Sequence, residues 1–255
     1  MGRPFRHLPR QPVTGGDYLE TGGRRLACRR RPGRNPTLVF LPGYASDMEG
    51  SKATALDGWA EERGQAVLRF DYAGCGANPG DFEAQTLEDW RDDALAAIDS
   101  VAEGPVILIG SSMGGWLMLL AALARPERVK ALVGIAAAPD FTTWGYSDAQ
   151  KATIRETGRL SEPSPYDDAP RVTTRAFWES GEELTLLGGP IPFAGPVRLL
   201  HGSADADVPW RISLELMERL VTADARLTLV KGGDHRLSRE EDIALLLATV
   251  EELVR

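Results

Sequence analysis

At 255 residues, with 43% hydrophobic and 26% charged side chains, the chain has the composition of a globular protein and the length of one large α/β domain. Its formal net charge of -8 argues against nucleic acid and other polyanionic partners, because phosphate backbones are bound through clustered Lys and Arg. No apolar run approaches the roughly 18 residues that a membrane span requires.

The first 16 residues carry Arg3, Arg6 and Arg10 with no acidic residue before Asp17. This basic stretch reads as a flexible terminus. Its composition also suits an organellar transit segment, whereas no apolar stretch follows that would suit a secretory signal. Arg6 stands where N-myristoylation after a Met-Gly opening would want Ser or Thr. Cys28 and Cys75 have no metal-ligand spacing and read as free thiols of a reducing compartment. Arginine far outnumbers lysine, as GC-rich coding would produce, and on that basis the expected location is cytoplasmic.

From residue 17 onward, apolar runs alternate with segments of helical period, the pattern of a mostly parallel sheet covered by helices. Tyr18 to Glu20 and Leu26 to Arg29 flank Gly22-Gly23 as an opening hairpin. Thr37 to Leu41 is a short buried strand running into the turn Pro42-Gly43-Tyr44. Ser51 to Arg63 sets Ala53, Leu56, Trp59 and Ala60 on one face, so a helix ending at Gly64 follows. The strand Ala66 to Phe70 leads into a Gly-rich loop from Asp71 to Gly80. Thr86 and Asp89 form a capping pattern ahead of a helix lined by Leu87, Trp90, Ala94, Leu95, Ile98 and Val101.

Val106 to Ile109 is the next strand, then come Gly110 to Gly115, an apolar helix Trp116 to Ala124 and a strand Val129 to Ile135. The rhythm breaks between residues 139 and 196, where prolines, acids and aromatics mix without a strand pattern. That interval is a candidate lid inserted between core segments 17–138 and 197–255. Beyond it the alternation resumes with the strand Val197 to Leu200, a helix around Ile212 to Leu220, the strand Arg226 to Val230 and a last helix near Arg239 to Val254.

Gly110-Ser111-Ser112-Met113-Gly114 fits G-x-S-x-G between a predicted strand and a predicted helix. Glycines at both flanks permit the tight turn that lifts a serine hydroxyl above the sheet edge. A serine hydroxyl attacks well only when a base takes its proton, which calls for a histidine. The chain has three. His7 lies in the basic terminus, and His201 closes a predicted strand and suits a buried structural role. His235 sits in Lys231-Gly232-Gly233-Asp234-His235, a loop after the last strand, and is the expected general base.

In folds built on this elbow the acid precedes the histidine in the chain. The loop after Val197 to Leu200 offers Asp205 and Asp207, with Asp140 a further candidate and Asp234 better suited to shaping the histidine loop. The oxyanion of a tetrahedral intermediate needs N–H donors, and the backbone amides of Met113 and Tyr44 are placed to supply them.

Several stretches together resemble the α/β-hydrolases, and within them the mitochondrial family of acyl-protein thioesterases that also hydrolyse acyl glucuronides. They are Phe40 to Tyr44, Arg69 to Tyr72, Gly110 to Leu119, Arg198 to Gly202, Val208 to Trp210, and Asp234 to Arg236. The resemblance implies an α/β-hydrolase fold, and it sets Ser112, Asp205 and His235 on the family's triad positions, favouring Asp205 over Asp207. It covers the core better than the N-terminus or the lid. Pro42 departs from the His-Gly pair found at this turn in lipases.

The interval 139–196 carries Phe141, Trp144, Tyr146, Tyr166, Phe177, Trp178 and Phe193. These rings suit either an apolar acyl or aryl group over the serine or the lid's own packing. The expected activity is hydrolysis of a small-molecule ester or thioester, or of an acylated protein, with apolar acyl groups and no cofactor or metal. An acyltransferase, a C–C bond hydrolase on the same triad and a non-catalytic ligand-binding member of the fold are the alternatives. Dehalogenase and epoxide-hydrolase chemistry is disfavoured, because those enzymes use Asp where Ser112 stands.

Overall fold

The computed structural model describes residues 17–21, 23–101, 104–164 and 170–255. The basic terminus with Arg3, Arg6, Arg10 and His7, together with Gly22 and Tyr166, lies outside the described residues. Strands β1 (Asp17–Thr21) and β2 (Arg24–Arg31) form the expected hairpin, with Gly23 at φ 78° in its turn. Then follow β3 (Arg34–Leu41), α1 (Ser51–Arg63), β4 (Gln65–Phe70), α2 (Leu87–Asp99), β5 (Val106–Ser111), α3 (Met113–Ala124) and β6 (Val129–Ile135). After the 139–196 interval come β9 (Val197–Gly202), α7 (Arg211–Arg219), β10 (Ala225–Val230) and α8 (Glu240–Val254).

These strands make one sheet in the order β1-β2-β4-β3-β5-β6-β9-β10, antiparallel at β1–β2 and β2–β4 and parallel from β4 onward. Successive strand side chains point to opposite faces, so a sheet covered on both sides needs nearly continuous apolar runs. Thr37 to Leu41 and Val106 to Ile109 are such runs. Val39, Leu41, Leu108 and Leu199 pack on one face with α2, α3 and α7, and Leu38, Phe40, Ile107 and Ile109 pack on the other with α1 and α8. The order of strands reverses at β3, whose neighbours are β4 and β5, and loops from strand C-termini gather beside such a reversal.

Local signals explain the ends of the helices. Gly64 adopts the left-handed conformation and its N–H bonds to the carbonyls of Ala60 and Glu61, terminating α1. Thr86 and Asp89 form a reciprocal capping box at the start of α2.

The 139–196 interval holds more regular structure than its sequence pattern suggests. It contains α4 (Phe141–Trp144), α5 (Asp148–Thr157), β7 (Arg159–Glu162), β8 (Arg171–Thr174) and α6 (Arg175–Glu183), with β7 and β8 paired as an antiparallel ribbon. Four-residue strands whose side chains are mostly outside the core are too short to show a period of two. Helix α3 is buried on all sides, with the sheet beneath it, α2 beside it and the 139–196 interval against Trp116. Trp116 donates its indole N–H to Leu184 O at 3.2 Å, and its ring lies 5.6 Å from that of Phe141.

Thr86→Ala removes a side-chain acceptor from the first turn of α2 and is expected to destabilise the fold by about 1 kcal/mol. Denaturant unfolding of the variant beside the parent protein measures that difference.

Candidate active site

The elbow is built by close approach of three backbone segments. Ser112 links β5 to α3 at φ 55°, ψ -121°, a conformation that costs a non-glycine residue of the order of 1–3 kcal/mol and must be held by its surroundings. Its carbonyl accepts from Gly115 N at 2.8 Å and Ala138 N at 3.1 Å, and its own N–H donates to Ile135 O at 2.9 Å. A Cβ at Gly114 would collide with the carbonyl oxygens of Leu41 and Pro42, and one at Gly110 with the Gly114 carbonyl. The glycine spacing of the motif therefore reflects backbone contact across the turn. A Cβ at Gly43 would sit 3.4 Å from Ser112 Cβ, so the turn after β3 lies against the serine.

His235 extends from the loop after β10. Asp234 Oδ1 accepts from Leu237 N at 2.9 Å, shaping that loop as expected, and Lys52 Nζ on α1 donates to Arg236 O at 2.5 Å. His235 Nε2 lies 3.1 Å from Ser112 Oγ and Nδ1 lies 2.8 Å from Asp205 Oδ2. A carboxylate can only accept, so Nδ1 carries the proton and Nε2 is left to accept one from the serine hydroxyl.

Asp205 has a fully buried carboxylate. Oδ1 accepts from the backbone N–H groups of Asp207 and Val208, each at 2.9 Å, and Oδ2 accepts from His235 Nδ1 and from His201 Nε2 at 3.1 Å. Burial alone would raise its pKa. The hydrogen bonds from His201, from His235 and from the Val208 N–H outweigh that and hold it well below the usual carboxylate range.

Of the other candidate carboxylates, Asp207 stays beside Asp205 and His235, and Asp140 and Asp234 are engaged elsewhere. Asp140 accepts from Leu186 N at 2.8 Å and Leu187 N at 2.7 Å, joining the start of the 139–196 interval to the segment after its last helix. Asp205, Asp207 and His235 are the one group of three potential metal donors among the described residues, with ligand atoms within 4.8 Å of one another. Asp205 already accepts four hydrogen bonds, which leaves its oxygens poorly suited to a cation.

Met113 is the first residue of α3, so its amide is one that a helix leaves without an intrahelical acceptor. Tyr44 follows Gly43 in the turn after β3. Its ring stacks edge-on at 5.2 Å from Phe82, 5.2 Å from Phe177, 5.8 Å from Trp90 and 6.3 Å from Phe141. Its hydroxyl donates to the carbonyl of Val172 on β8. Burial pushes the phenol pKa up, so the hydroxyl remains a donor.

The aromatic residues of the interval divide between roles. Tyr146 and Trp178 form a small core with Ile154, and Phe177 and Phe193 belong to the main core. Phe141 stays half-buried beside Tyr44.

Sequence reasoning missed three polar residues around this site. His201 appeared only as a buried residue, yet it reaches Asp205. Ser213 on α7 holds His201 Nδ1 at 2.7 Å. Asp71 accepts from Met48 N and Ala77 N, each at 2.7 Å, bracing the segment after the Gly43 turn, and burial raises its pKa to about 6. The four-residue spacing from His201 to Asp205 across a strand end was the one available signal.

Because the Asp205 carboxyl titrates lower in the folded chain than its ordinary value of about 3.9, the stability it supplies is complete above that pH and is lost as pH falls below it. Asp205→Asn is expected to flatten the acid limb of the stability curve, read by denaturant unfolding at a series of pH values. Parallel curves for variant and parent through the acid range would contradict this.

Residues 38–248 match the model of the Alpha/beta hydrolase family. The mouse palmitoyl-protein thioesterase ABHD10, mitochondrial, is 44% identical over 90% of this chain and 78% of its own length. Its human counterpart is 41% identical over 90% and 76%. The structure of alpha/beta hydrolase domain-containing protein 10 from mouse superposes with a TM-score of 0.88 at 41% identity, covering 94% of this chain and 98% of that one. Est1E from Butyrivibrio proteoclasticus, with ferulic acid bound, shares the fold at TM-score 0.78 and 21% identity, over 92% and 96% of the two chains. The expected cytoplasmic location is overturned by the thioesterase relatives, whose names place them in the mitochondrion. A ratio of arginine to lysine reports coding composition and carries no information about compartment. With 41 to 44% identity over nine-tenths of its length and a family match over residues 38–248, the chain belongs to the α/β-hydrolase family.

Proposed function

We propose that the protein hydrolyses carboxylic thioesters and esters through an acyl-enzyme on Ser112, with His235 as general base and Asp205 as the acid that orients it. The observation that carries this reading is the continuous hydrogen-bonded path from Ser112 Oγ through the His235 ring to a buried, ionised Asp205. The serine oxygen attacks the carbonyl carbon while its proton passes to His235 Nε2. The carbonyl π electrons move onto oxygen, where the amides of Tyr44 and Met113 receive the charge. Collapse expels the thiolate or alkoxide, which takes the proton from His235 Nε2. Water then repeats the sequence on the acyl-enzyme and frees the acid.

Apolar acyl groups attached to small molecules or to proteins are the substrate class. Two observations support this: the half-buried rings of Tyr44, Phe82 and Phe141 continue from the oxyanion turn, and relatives at 41 to 44% identity are named palmitoyl-protein thioesterases. Residues 139–196 act as the lid over this acyl region, attached through Tyr44 and Asp140.

A fluorophosphonate probe is expected to label the protein but not Ser112→Ala, which separates a catalytic serine from a vestigial one. Asp205→Asn should lower kcat by about 10⁴-fold, because an amide no longer selects the Nδ1–H form of His235. A panel of p-nitrophenyl esters and acyl thioesters of graded chain length locates the preferred acyl group. The absence of turnover at every length would defeat the proposal.

A further inference from the structure

A carboxylate that orients a catalytic histidine ordinarily needs one imidazole donor, and Asp205 has two. Both reach the same oxygen: His235 Nδ1 at 2.8 Å and His201 Nε2 at 3.1 Å. His201 is completely buried near the end of β9, where water offers no alternative partner. Its protonation pattern follows from its neighbours. Nε2 also lies 3.0 Å from the carbonyl of Val208, which can only accept, so Nε2 must carry a proton. In the neutral ring Nδ1 is then an acceptor, and the buried Ser213 hydroxyl, 2.7 Å away, donates to it.

A polar path therefore runs from α7 through Ser213, His201, Asp205 and His235 to Ser112. On the opposite oxygen the amides of Asp207 and Val208 occupy Oδ1. Four donors fill the carboxylate and fix its plane. Without His201, one lone pair of a buried charge loses its partner, and the group is free to turn about its Cβ–Cγ bond. Any turn displaces the atom to which His235 is anchored.

We propose that His201 is a positioning residue for the triad: its Nε2–H, presented by the Ser213 hydroxyl, locks the Asp205 carboxylate in the orientation that receives His235. This inference rests on the serine-hydrolase reading above. It predicts that His201 acts through Asp205 alone, whereas a histidine that merely fills the core would affect folding and leave the catalytic step intact.

The test is a double-mutant cycle on an acyl thioester that the parent protein turns over. His201→Phe keeps a ring but has no donor, and His201→Gln keeps an amide nitrogen at the reach of Nε2. Displacement of a reacting group by about 1 Å can cost about 10²-fold, so His201→Phe is expected to lower kcat by that order with KM unchanged. His201→Gln should recover most of the loss. In an Asp205→Ala background, which leaves no acceptor at this position, His201→Phe should cost nothing further, because the interaction it removes is already gone. Losses that multiply across the two sites, or a loss confined to KM, overturn the inference.

Should His201→Phe fail to fold, the imidazole ¹⁵N spectrum of the parent protein decides. Only three histidines contribute, and the His201 signals are those missing from His201→Gln. A protonated Nε2 with a bare Nδ1 is expected, and an Nδ1–H form overturns the inference. Failure of a fluorophosphonate to label the parent protein at Ser112 would overturn the hydrolase reading and this inference together. Normal labelling with multiplicative losses would overturn this inference alone.

Discussion

A charge withdrawn from water costs several kcal/mol unless donors replace its hydration, and the Asp205 carboxylate is where this fold meets that requirement. Its four donors come from three places: the loop that follows β9, the loop that follows β10, and β9 itself through His201. They converge because β9 and β10 run parallel and end level, with Gly202 opposite Val230. The loops beyond are joined by Ser203 N to Val230 O at 2.8 Å and Ala204 N to Gly233 O at 2.9 Å. The parallel pairing thus sets Asp205 and His235 at one height above the sheet, and two strands away β5 delivers Ser112 to the same edge. Moving β9 or β10 by one residue against the other would leave the carboxylate short of partners.

Tyr44 connects this rigid edge to the covering segment. Its backbone belongs to the turn packed against Ser112, and its hydroxyl is bonded to the Val172 carbonyl on β8. The half-buried rings around it belong partly to the body, as Phe82 does, and partly to the 139–196 interval, as Phe141 does. Asp140 ties the start of that interval to the segment after α6 by accepting from the amides of Leu186 and Leu187. Displacement of the interval would therefore disturb the turn packed against the serine, and a bulky acyl group pressing on these rings would act on the same turn.

Much of the body was legible because its signals are periodic and redundant. The strand Val129–Ile135 and the helix Ser51–Arg63 match their expected limits, since apolar runs, a glycine stop and a one-sided pattern each point to the same ends. Glycine spacing singled out Ser112 and the scarcity and position of histidine singled out His235, and the fold brings the two within 3.1 Å. Asp205 and Asp207 could not be separated by spacing, since two positions of one loop differ only in where their carboxyl groups point. The β7–β8 ribbon was not legible, being four residues on each side with a weak pattern. Nor was the second role of His201, which depends on the fold bringing a strand residue, a loop carboxylate and a helix hydroxyl together. The cytoplasmic expectation failed for a different reason, since the residue ratio behind it has no physical connection to an address.

Strain in the backbone follows the same distribution. Among the described residues Ala45, Ser112, Ala136, Asp140 and Leu237 have positive φ without being glycine, and all five lie in the connections that follow the C-terminal ends of β3, β5, β6 and β10. Such conformations are disfavoured and persist only where the surroundings leave no alternative. Here the surroundings are a sheet buried on both faces, with Leu38, Val39, Ile107 and Leu108 wholly inaccessible to solvent. A core of that density deforms little and so can hold unfavourable turns at its edge. Donors aimed in advance at a developing charge stabilise it without the reorganisation that water would need. The tight packing beneath the site and the strained turns above it are, on this view, two parts of one arrangement: the core supplies the rigidity and the loops convert it into fixed dipoles.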